Sequence, residues 1–146
     1  MKRWYGRFEA IATGREHTMP SDNYVDEVYA FFMNCYHLKD WIKHDCAARV
    51  AAETVEQFVN SRAELRQCAD ICNSVKHLRL TRPTRTGTQP QVTGQEIKLG
   101  LGKQRRISIQ LNIQTSDGEV NAFELATKCV HAWEEFIASR LEGAKS

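Results

Sequence analysis

The chain has 146 residues, of which 42% are hydrophobic and 26% are charged, and its formal net charge is +2. This length and composition are typical of one globular domain that buries enough surface to fold without disulfides. The sequence has no apolar run long enough to span a membrane, and its start, MKRWYGRFEA, lacks the apolar core of a signal peptide. We therefore expect a cytoplasmic protein with a single domain, 1–146.

Apolar residues at helical spacing, separated by breakers and N-cap residues, predict four helices in the first half of the chain, over about 3–13, 24–45, 47–60 and 62–78. The second of these has such a broad apolar face that we expect it to pack on several sides. Ser61 followed by Glu64 is a capping-box signature, which predicts that a new helix starts directly after a break near Asn60.

The second half of the chain has a different pattern. Residues 81–94 include two prolines and almost no apolar side chains, which predicts a flexible loop. Alternating apolar and polar residues then predict an antiparallel hairpin over about 96–115. A final helix over about 122–142 follows, with Asn121 and Glu124 as its capping pair. The predicted fold is mainly α, a bundle of four to five helices with an inserted antiparallel β-hairpin before the C-terminal helix.

The second strand of the predicted hairpin has two contrasting faces. Its apolar side chains should face the helices, because each contributes about 1.5–3 kcal/mol when it is covered. These residues are Ile107, Ile109, Leu111 and Ile113. The opposite row is polar yet uncharged, and an uncharged edge permits pairing with another strand. We therefore expect either a helix that covers the free edge or a second copy of the chain, which makes a homodimer the predicted assembly.

The small net charge hides an uneven distribution. Residues 76–106 contain eight basic residues and one acid, a net charge of +7, so the rest of the chain carries −5. A basic segment on an acidic body can recruit a polyanion such as RNA, whereas a solubilising surface is the plainer interpretation. No aromatic residue is interleaved with these charges to stack on bases. The candidate nucleic-acid-binding residues are Lys76, Arg79, Arg82, Arg85, Lys103, Arg105 and Arg106.

The five cysteines of the chain are Cys35, Cys46, Cys68, Cys72 and Cys129. Their number is odd and no two of them form a CxxC pair. Two of them lie one helical turn apart among apolar residues, at positions 68 and 72. We interpret them as reduced, buried thiols rather than as redox or zinc-binding groups.

Two of the predicted helices carry a stripe of short polar residues where a solvated face would normally have Lys and Glu. The stripes consist of Asp26, His37, Asp40 and His44 on one helix and of Arg66, Asp70, Asn73 and His77 on the other. If the helices pack antiparallel, the imidazoles of His37 and His77 should come within reach of one bound group. An Asp one turn from a His can also hold the imidazole tautomer. The candidate catalytic residues are therefore His77, Asn73, Arg66, Asp70, His37 and Asp40.

The same stripes permit two other interpretations. A set of two His and two carboxylates would suit Zn, Fe or Mn, and it consists of His37, Asp40, Asp70 and His77. Alternatively, the stripes are structural, and the protein is a non-enzymatic interaction module whose hairpin docks a protein partner. Trp41 borders the first stripe, and a tryptophan is seldom left exposed without a role, which favours a functional surface.

The end of the fourth predicted helix, Asn73-x-x-Lys76-His77, in a small helical bundle resembles HEPN-type domains. Many members of that family are metal-independent ribonucleases of toxin and phage-defence systems. The resemblance implies RNA binding or cleavage, with His77 as the acid–base residue. The family motif also has an Arg shortly before its His, which is unmatched here because Arg66 lies eleven positions before His77. The leading hypothesis is a small cytoplasmic HEPN-like protein that binds or cleaves RNA.

Overall fold

The computed structural model describes residues 1–16, 21–76, 84–87, 89–100, 106–115 and 118–143. These residues contain the helices α1 (Lys2–Thr13), α2 (Ser21–His44), α3 (Ala52–Ser61), α4 (Ala63–Lys76) and α5 (Ala122–Gly143). They also contain the strands β1 (Arg15–Glu16), β2 (Gln91–Gly100), β3 (Arg106–Thr115) and β4 (Gly118–Asn121). The predicted class is confirmed, since the chain is mainly helical with antiparallel strands before the last helix. None of the described helices combines the length and the apolar character needed to cross a bilayer.

Strand β3 is the centre of the sheet. β2 pairs with one edge of β3 along its length, with Ile97 opposite Ile109. β1 and β4 pair with the two ends of the other edge, and every pairing is antiparallel. The register of β2 shifts between Val92 and Gly94, which marks a β-bulge. Among the described residues, β2 is therefore an edge strand.

The helical layer covers one face of the sheet. The apolar row of β3, Ile107, Ile109, Leu111 and Ile113, is at most 3% exposed. α1 and α5 pack against this strand, which confirms the prediction that the row faces the helices. Gln110, on the opposite face, is exposed. α1 and α2 are joined by aromatic rings whose neighbouring centroids lie 5.3 to 6.2 Å apart.

The apolar spacing predicts that helix α3 begins near residue 47, but the helix begins at Ala52. The turn before it is stabilised by Asp45, whose Oδ1 accepts a hydrogen bond from the Ala47 amide at 2.9 Å. Arg49 then adopts a positive φ of 47°, which is incompatible with a right-handed helix. Apolar residues at helical spacing continue through this turn, so the predicted start of the helix was too early.

The two predicted caps have different outcomes. Ser61 Oγ donates to the Phe58 carbonyl at 2.8 Å, so the serine closes α3 and does not open α4. The capping box was therefore wrong, although the predicted break between the helices exists. Asn121 caps α5 as predicted, because its Oδ1 accepts hydrogen bonds from the Phe123 and Glu124 amides at 2.9 and 3.2 Å.

The segment predicted as a flexible loop, 81–94, is partly built into the fold. Its last four residues belong to β2, so the loop prediction is wrong there. The backbone N–H groups of Arg85 and Thr86 donate to the Asp70 carboxylate at 2.7 and 2.9 Å, which fastens this part of the segment to α4. Residues 81–83 and 88 lie outside the described part of the chain.

Candidate site around His37

Helices α2 and α4 lie side by side and run in the same direction. Cys68 Sγ donates a weak hydrogen bond to the Phe32 carbonyl at 3.5 Å, and Cys72 Sγ lies 4.0 Å from His37 Nε2. The contacting residue numbers increase on both helices in the same direction, from 32 to 37 on α2 and from 68 to 72 on α4. The prediction of antiparallel packing is therefore wrong. The reason is α3, which reverses the chain between the two helices. His37 contacts α4 through Cys72, which lies outside the second polar stripe.

His37 and Asp40 form an acid–base pair on α2. His37 Nδ1 lies 3.2 Å from Asp40 Oδ2, one helical turn away, and the His37 side chain is 45% exposed. A carboxylate in this position holds the proton on Nδ1 and leaves Nε2 as the acceptor. Cys72 is only 2% exposed, and its Sγ lies 4.0 Å from His37 Nε2, so this buried thiol contacts the edge of the imidazole and does not face a substrate. The pair is suited to proton transfer rather than to thiol nucleophilic catalysis.

A charged network surrounds Asp40 and connects α2 to α3. Asp40 Oδ1 contacts Lys43 Nζ at 2.9 Å and Lys39 Nζ at 3.3 Å. The same two ammonium groups contact Glu56 Oε1 at 2.8 and 2.9 Å. Glu56 Oε2 also accepts a hydrogen bond from Arg85 at 3.3 Å. Three positive and two negative groups therefore leave the network with a net charge of +1.

The network lowers the pKa of both carboxylates. Partial burial opposes the ionisation of Asp40, but hydrogen bonds from Lys43, His37 and Lys39 outweigh it and hold the pKa of this carboxyl well below its usual range. Partial burial also opposes the ionisation of Glu56, yet hydrogen bonds from the two lysines lower its pKa to about 2. Both groups are ionised at neutral pH, so Asp40 remains a hydrogen-bond acceptor for His37.

Arg85, one of the predicted nucleic-acid-binding residues, is occupied within the protein. Its guanidinium donates to the Tyr36 hydroxyl at 3.2 Å, and it also donates to Glu56 and to the side-chain carbonyl of Asn60. Lys39 Nζ lies 4.8 Å from the centroid of the same Tyr36 ring. Arg85 therefore joins the segment after α4 to both α2 and α3.

The other predicted basic residues are mostly beyond the described part of the chain. Arg106 is exposed, and its guanidinium donates to the Gly14 carbonyl at 3.2 Å. The side chain of Lys76 and the whole of Arg79, Arg82, Lys103 and Arg105 lie outside the described residues. The nucleic-acid-binding role of this segment therefore stays a prediction.

The buried part of the second stripe is structural. Asp70 is 1% exposed and accepts three hydrogen bonds, from the Arg85 amide and from the amide and hydroxyl of Thr86. Arg66 donates to the Asn60 carbonyl at 2.6 Å, at the end of α3. Both side chains thus hold neighbouring segments of the chain together.

The predicted metal set is not assembled by the residues that the structure describes. Within them, the one group of three or more His, Cys, Asp or Glu ligand atoms close enough to hold an ion belongs to Cys35, Cys68 and Cys129. His37, Asp40 and Asp70 therefore do not converge on one ion. Of the remaining predicted residues, Asp26 and His44 are exposed, Asn73 is partly exposed, and His77 lies outside the described residues.

Trp41 is the most exposed large apolar side chain among the described residues, with 77% of its surface accessible. It lies one helical turn after His37 on the same face of α2. A shallow groove of about 480 Å³ beside it is lined by Leu38, Asp40, Trp41, Ile42, His44 and Asp45. The acid–base pair and an exposed aromatic surface therefore share one side of α2.

Three residues of the charged network were not predicted from the sequence: Lys39, Lys43 and Glu56. Lys and Glu are the usual residues of a solvated helix face, so their identity alone gives no signal. The position of Lys43 three residues after Asp40 is a weak indication of an ion pair. The contacts with Glu56 arise only when α3 packs beside α2.

Comparison of the chain with protein-family models, curated proteins and solved structures gives no match. The resemblance to HEPN-type domains therefore remains a prediction from the sequence. Function has to be argued from the residues of the site and their chemistry.

Proposed function

We propose that this protein is a cytoplasmic, HEPN-like RNA-binding protein that cleaves RNA by acid–base catalysis at His37, as a toxin or phage-defence ribonuclease would. The observation that carries the proposal is the His37–Asp40 pair, which lies one turn from the exposed Trp41 on the same side of α2. An acid–base group transfers the protons of RNA cleavage, and an exposed aromatic ring beside it offers a surface on which a base stacks. None of the five cysteines, all of which lie in the described residues, forms a disulfide, which fits the reducing cytoplasm.

The proposed reaction uses the 2′-hydroxyl of the RNA as nucleophile. In this step His37 Nε2 leaves its contact with the Cys72 thiol and accepts the proton of the hydroxyl, while the hydroxyl oxygen forms a bond to the adjacent phosphorus. The bond from phosphorus to the 5′-oxygen breaks, and the leaving oxygen takes up a proton from the imidazolium. The products are a 2′,3′-cyclic phosphate and a free 5′-hydroxyl. Asp40 acts as a positioning residue, because it holds the His37 ring and its tautomer.

In this proposal, two features of the protein bind the RNA strand. Trp41 offers its ring to a base, and base–aromatic stacking contributes about 1–3 kcal/mol per base. The basic segment 76–106 carries a net charge of +7, which includes Arg85 of the network around Asp40 and Glu56. Attraction between these cations and the phosphates should make binding fall with salt.

A metal-free mechanism fits the donor groups around His37. The carboxylates of Asp40 and Glu56 are bound by lysine ammonium groups, and Asp70 is bound by backbone amides. None of the three is left to coordinate an ion without breaking these contacts. His77, the acid–base residue implied by the resemblance, remains a second candidate for proton transfer in this proposal.

The experiment is a cleavage assay with a labelled single-stranded RNA in EDTA. The wild-type protein should cut the RNA, and His37→Ala should lose about 10²–10⁴-fold in rate, the usual contribution of a general acid–base group. His131→Ala is the matched control, because His131 is an exposed histidine on α5. Its rate should equal that of the wild type, and His77→Ala reports separately on the second histidine.

A second candidate function is a protein-interaction module without enzymatic activity. The observation that favours it is the groove beside Trp41, where Leu38 and Ile42 also line the wall. RNA that is neither cut nor retained in a salt-dependent manner would favour this alternative over the ribonuclease. Cleavage that stops in EDTA and returns with a divalent ion would instead favour a metal enzyme.

A further inference from the structure

Three cysteine thiols meet in the core at the junction of α2, α4 and α5. They belong to Cys35, Cys68 and Cys129, which are each at most 1% exposed, and their Sγ atoms all lie within 4.8 Å of one another. The three sulfurs are free thiols, so they are chemically able to act as ligands.

Trp133 gives a second, independent indication that a charged group belongs here. Its side chain is 1% exposed, and its Nε1 has no hydrogen-bond partner among the described residues. A buried donor without an acceptor is rare in folded proteins. Trp133 lies one helical turn after Cys129 on α5, so its N–H is on the side of the helix that carries the cluster and is suited to donate to a thiolate sulfur.

We propose that Cys35, Cys68 and Cys129 form a three-coordinate binding site for a soft metal cation, with copper(I) as the occupant. Because the three sulfurs lie within 4.8 Å of one another, a point equidistant from them is at most about 2.8 Å from each, compared with about 2.3 Å for a zinc–thiolate bond. A shift of each sulfur by about half an ångström therefore completes the site. Thiolates select soft ions such as copper(I).

The number of ligands favours copper(I) over zinc. Structural zinc is almost always bound by four ligands, whereas the group has three members among the described residues. Binding replaces three S–H bonds by three S–Cu bonds and releases three protons to solvent. The copper enters in its reduced state, so the step needs no oxidant. The bound ion joins three helices, and its loading requires a transient opening of the core.

The experiment is an anaerobic titration of the purified full chain with copper(I), and with zinc(II) as a second probe. We expect one copper per chain, a rise of several degrees in the midpoint of thermal unfolding, and a copper X-ray absorption spectrum that fits three sulfur ligands. The double variant Cys46→Ala/Cys72→Ala keeps only the three clustered cysteines and should bind as the wild type does. Cys68→Ala should lose the bound copper.

Several outcomes would overturn this site. They are the absence of stoichiometric copper, loss of binding in the double variant, or nitrogen and oxygen ligands in the absorption spectrum. Zinc bound more tightly than copper(I) would contradict the three-coordinate assignment. The spectrum of the wild-type protein decides the question even if a cysteine variant does not fold.

The outer edge of β2 supports a separate inference. Among the described residues β2 pairs only with β3, and Ile97 is 45% exposed although it lies on the same sheet face as its partner Ile109. On the other face, the side chains of Glu96 and Lys98 are 60% and 61% exposed and lie 3.5 Å apart. The edge therefore presents an apolar residue flanked by opposite charges.

We further infer that two copies of the chain pair antiparallel through β2, with Ile97 at the centre. This register sets Ile97 opposite Ile97 of the partner subunit and sets Glu96 opposite Lys98 of the partner subunit, twice by symmetry. A centre at either neighbouring residue would instead set two glutamates or two lysines opposite each other, which is unfavourable. The charge pattern is complementary to itself, so the occupant of this edge is a second copy.

Sedimentation across a range of concentrations tests the pairing. Wild type should dimerise, whereas Glu96→Lys and Lys98→Glu should each be monomers, because each variant opposes like charges across the interface. A mixture of the two variants should form a heterodimer, since the opposite charges meet again. A wild-type monomer at every concentration, or dimers unaffected by the two charge changes, would overturn the inference.

Discussion

Asp40 and Asp70 carry the same side chain and lie on similar polar stripes, yet their surroundings differ. The Asp40 side chain is 39% exposed and pairs with His37, whereas Asp70 is 1% exposed and binds backbone amides. The sequence predicts both as site residues, because short polar residues in a helix interior have a reason to be there. The structural role of Asp70 depends on its hydrogen-bond partners at residues 85–86, and the spacing of polar residues along α4 cannot predict those partners.

Replacing Asp70 by Asn should destabilise the protein by about 1–3 kcal/mol. The amide group has one acceptor oxygen in place of two, so at least one amide of Arg85 or Thr86 loses its partner. Urea unfolding measures the change. Asp26→Asn, at an exposed position of α2, is the control and should change stability by less than about 0.5 kcal/mol. Equal stability of the two variants would contradict the structural role of Asp70.

Glu56 should make stability depend on pH in the acid range. Its pKa is lowered from 4.5 to about 2 in the folded state, so it contributes stability above pH 4.5 that is lost as the pH falls toward 2. Because a third of the side chain is exposed, we expect about 1–2 kcal/mol after allowance for solvent screening. Unfolding of Glu56→Gln should show this loss at pH 7 and a smaller one near pH 2.

Glu53→Gln is the matched control for this experiment, since Glu53 is exposed on the same helix. It should differ little from the wild type throughout the pH range. A constant difference between Glu56→Gln and the wild type from pH 7 to pH 2 would refute the proposed contribution of the ion-pair network.

At the scale of the elements, long periodic segments were predictable and short ones were not. α2 and α5 show helical periodicity over many turns, and the apolar row of β3 alternates without interruption. β1 and β4 have two and four residues, too few for an alternating pattern to appear. The early start predicted for α3 has a similar cause, because the turn that Asp45 stabilises does not interrupt the apolar spacing.

Trp41 on α2 should contribute to RNA binding without contributing to stability. Trp41→Ala should weaken binding of a single-stranded RNA about 5- to 100-fold, the loss expected for one stacked base. Its thermal midpoint should stay close to that of the wild type, because the side chain is 77% exposed. Met33→Ala removes another exposed apolar residue of α2 and should leave RNA affinity unchanged. Equal affinities of the two variants would remove Trp41 from the binding surface.

At the scale of the whole molecule, the sequence predicts the site only in part. It identifies His37 and Asp40 through their spacing on one helix, and the structure brings them within 3.2 Å. It cannot identify the contribution of α3, because the contact of Glu56 with Lys39 and Lys43 depends on how α3 packs against α2. The parallel direction of α2 and α4 was missed for the same reason.

The charge asymmetry of the whole chain predicts a salt effect on RNA binding. The logarithm of affinity should fall linearly with the logarithm of salt concentration, by about 0.7 for each phosphate contacted on a single strand. Replacing Lys103, Arg105 and Arg106 together by Gln should reduce this slope by about 2. Lys128→Gln, at an exposed position of α5, should leave it unchanged. An unaltered slope in the triple variant would exclude this segment from the interface.

The measurement that tests the proposed function most directly is the single-turnover cleavage rate in EDTA on two matched oligonucleotides. One is all-ribose RNA, and the other carries a single 2′-deoxy residue at the cleaved position. The wild-type protein should cut the first and leave the second intact at that position, and His37→Ala should cut the first about 10²–10⁴-fold more slowly. Cleavage of the deoxy-containing strand, or a His37→Ala rate equal to that of the wild type, would contradict acid–base catalysis at His37.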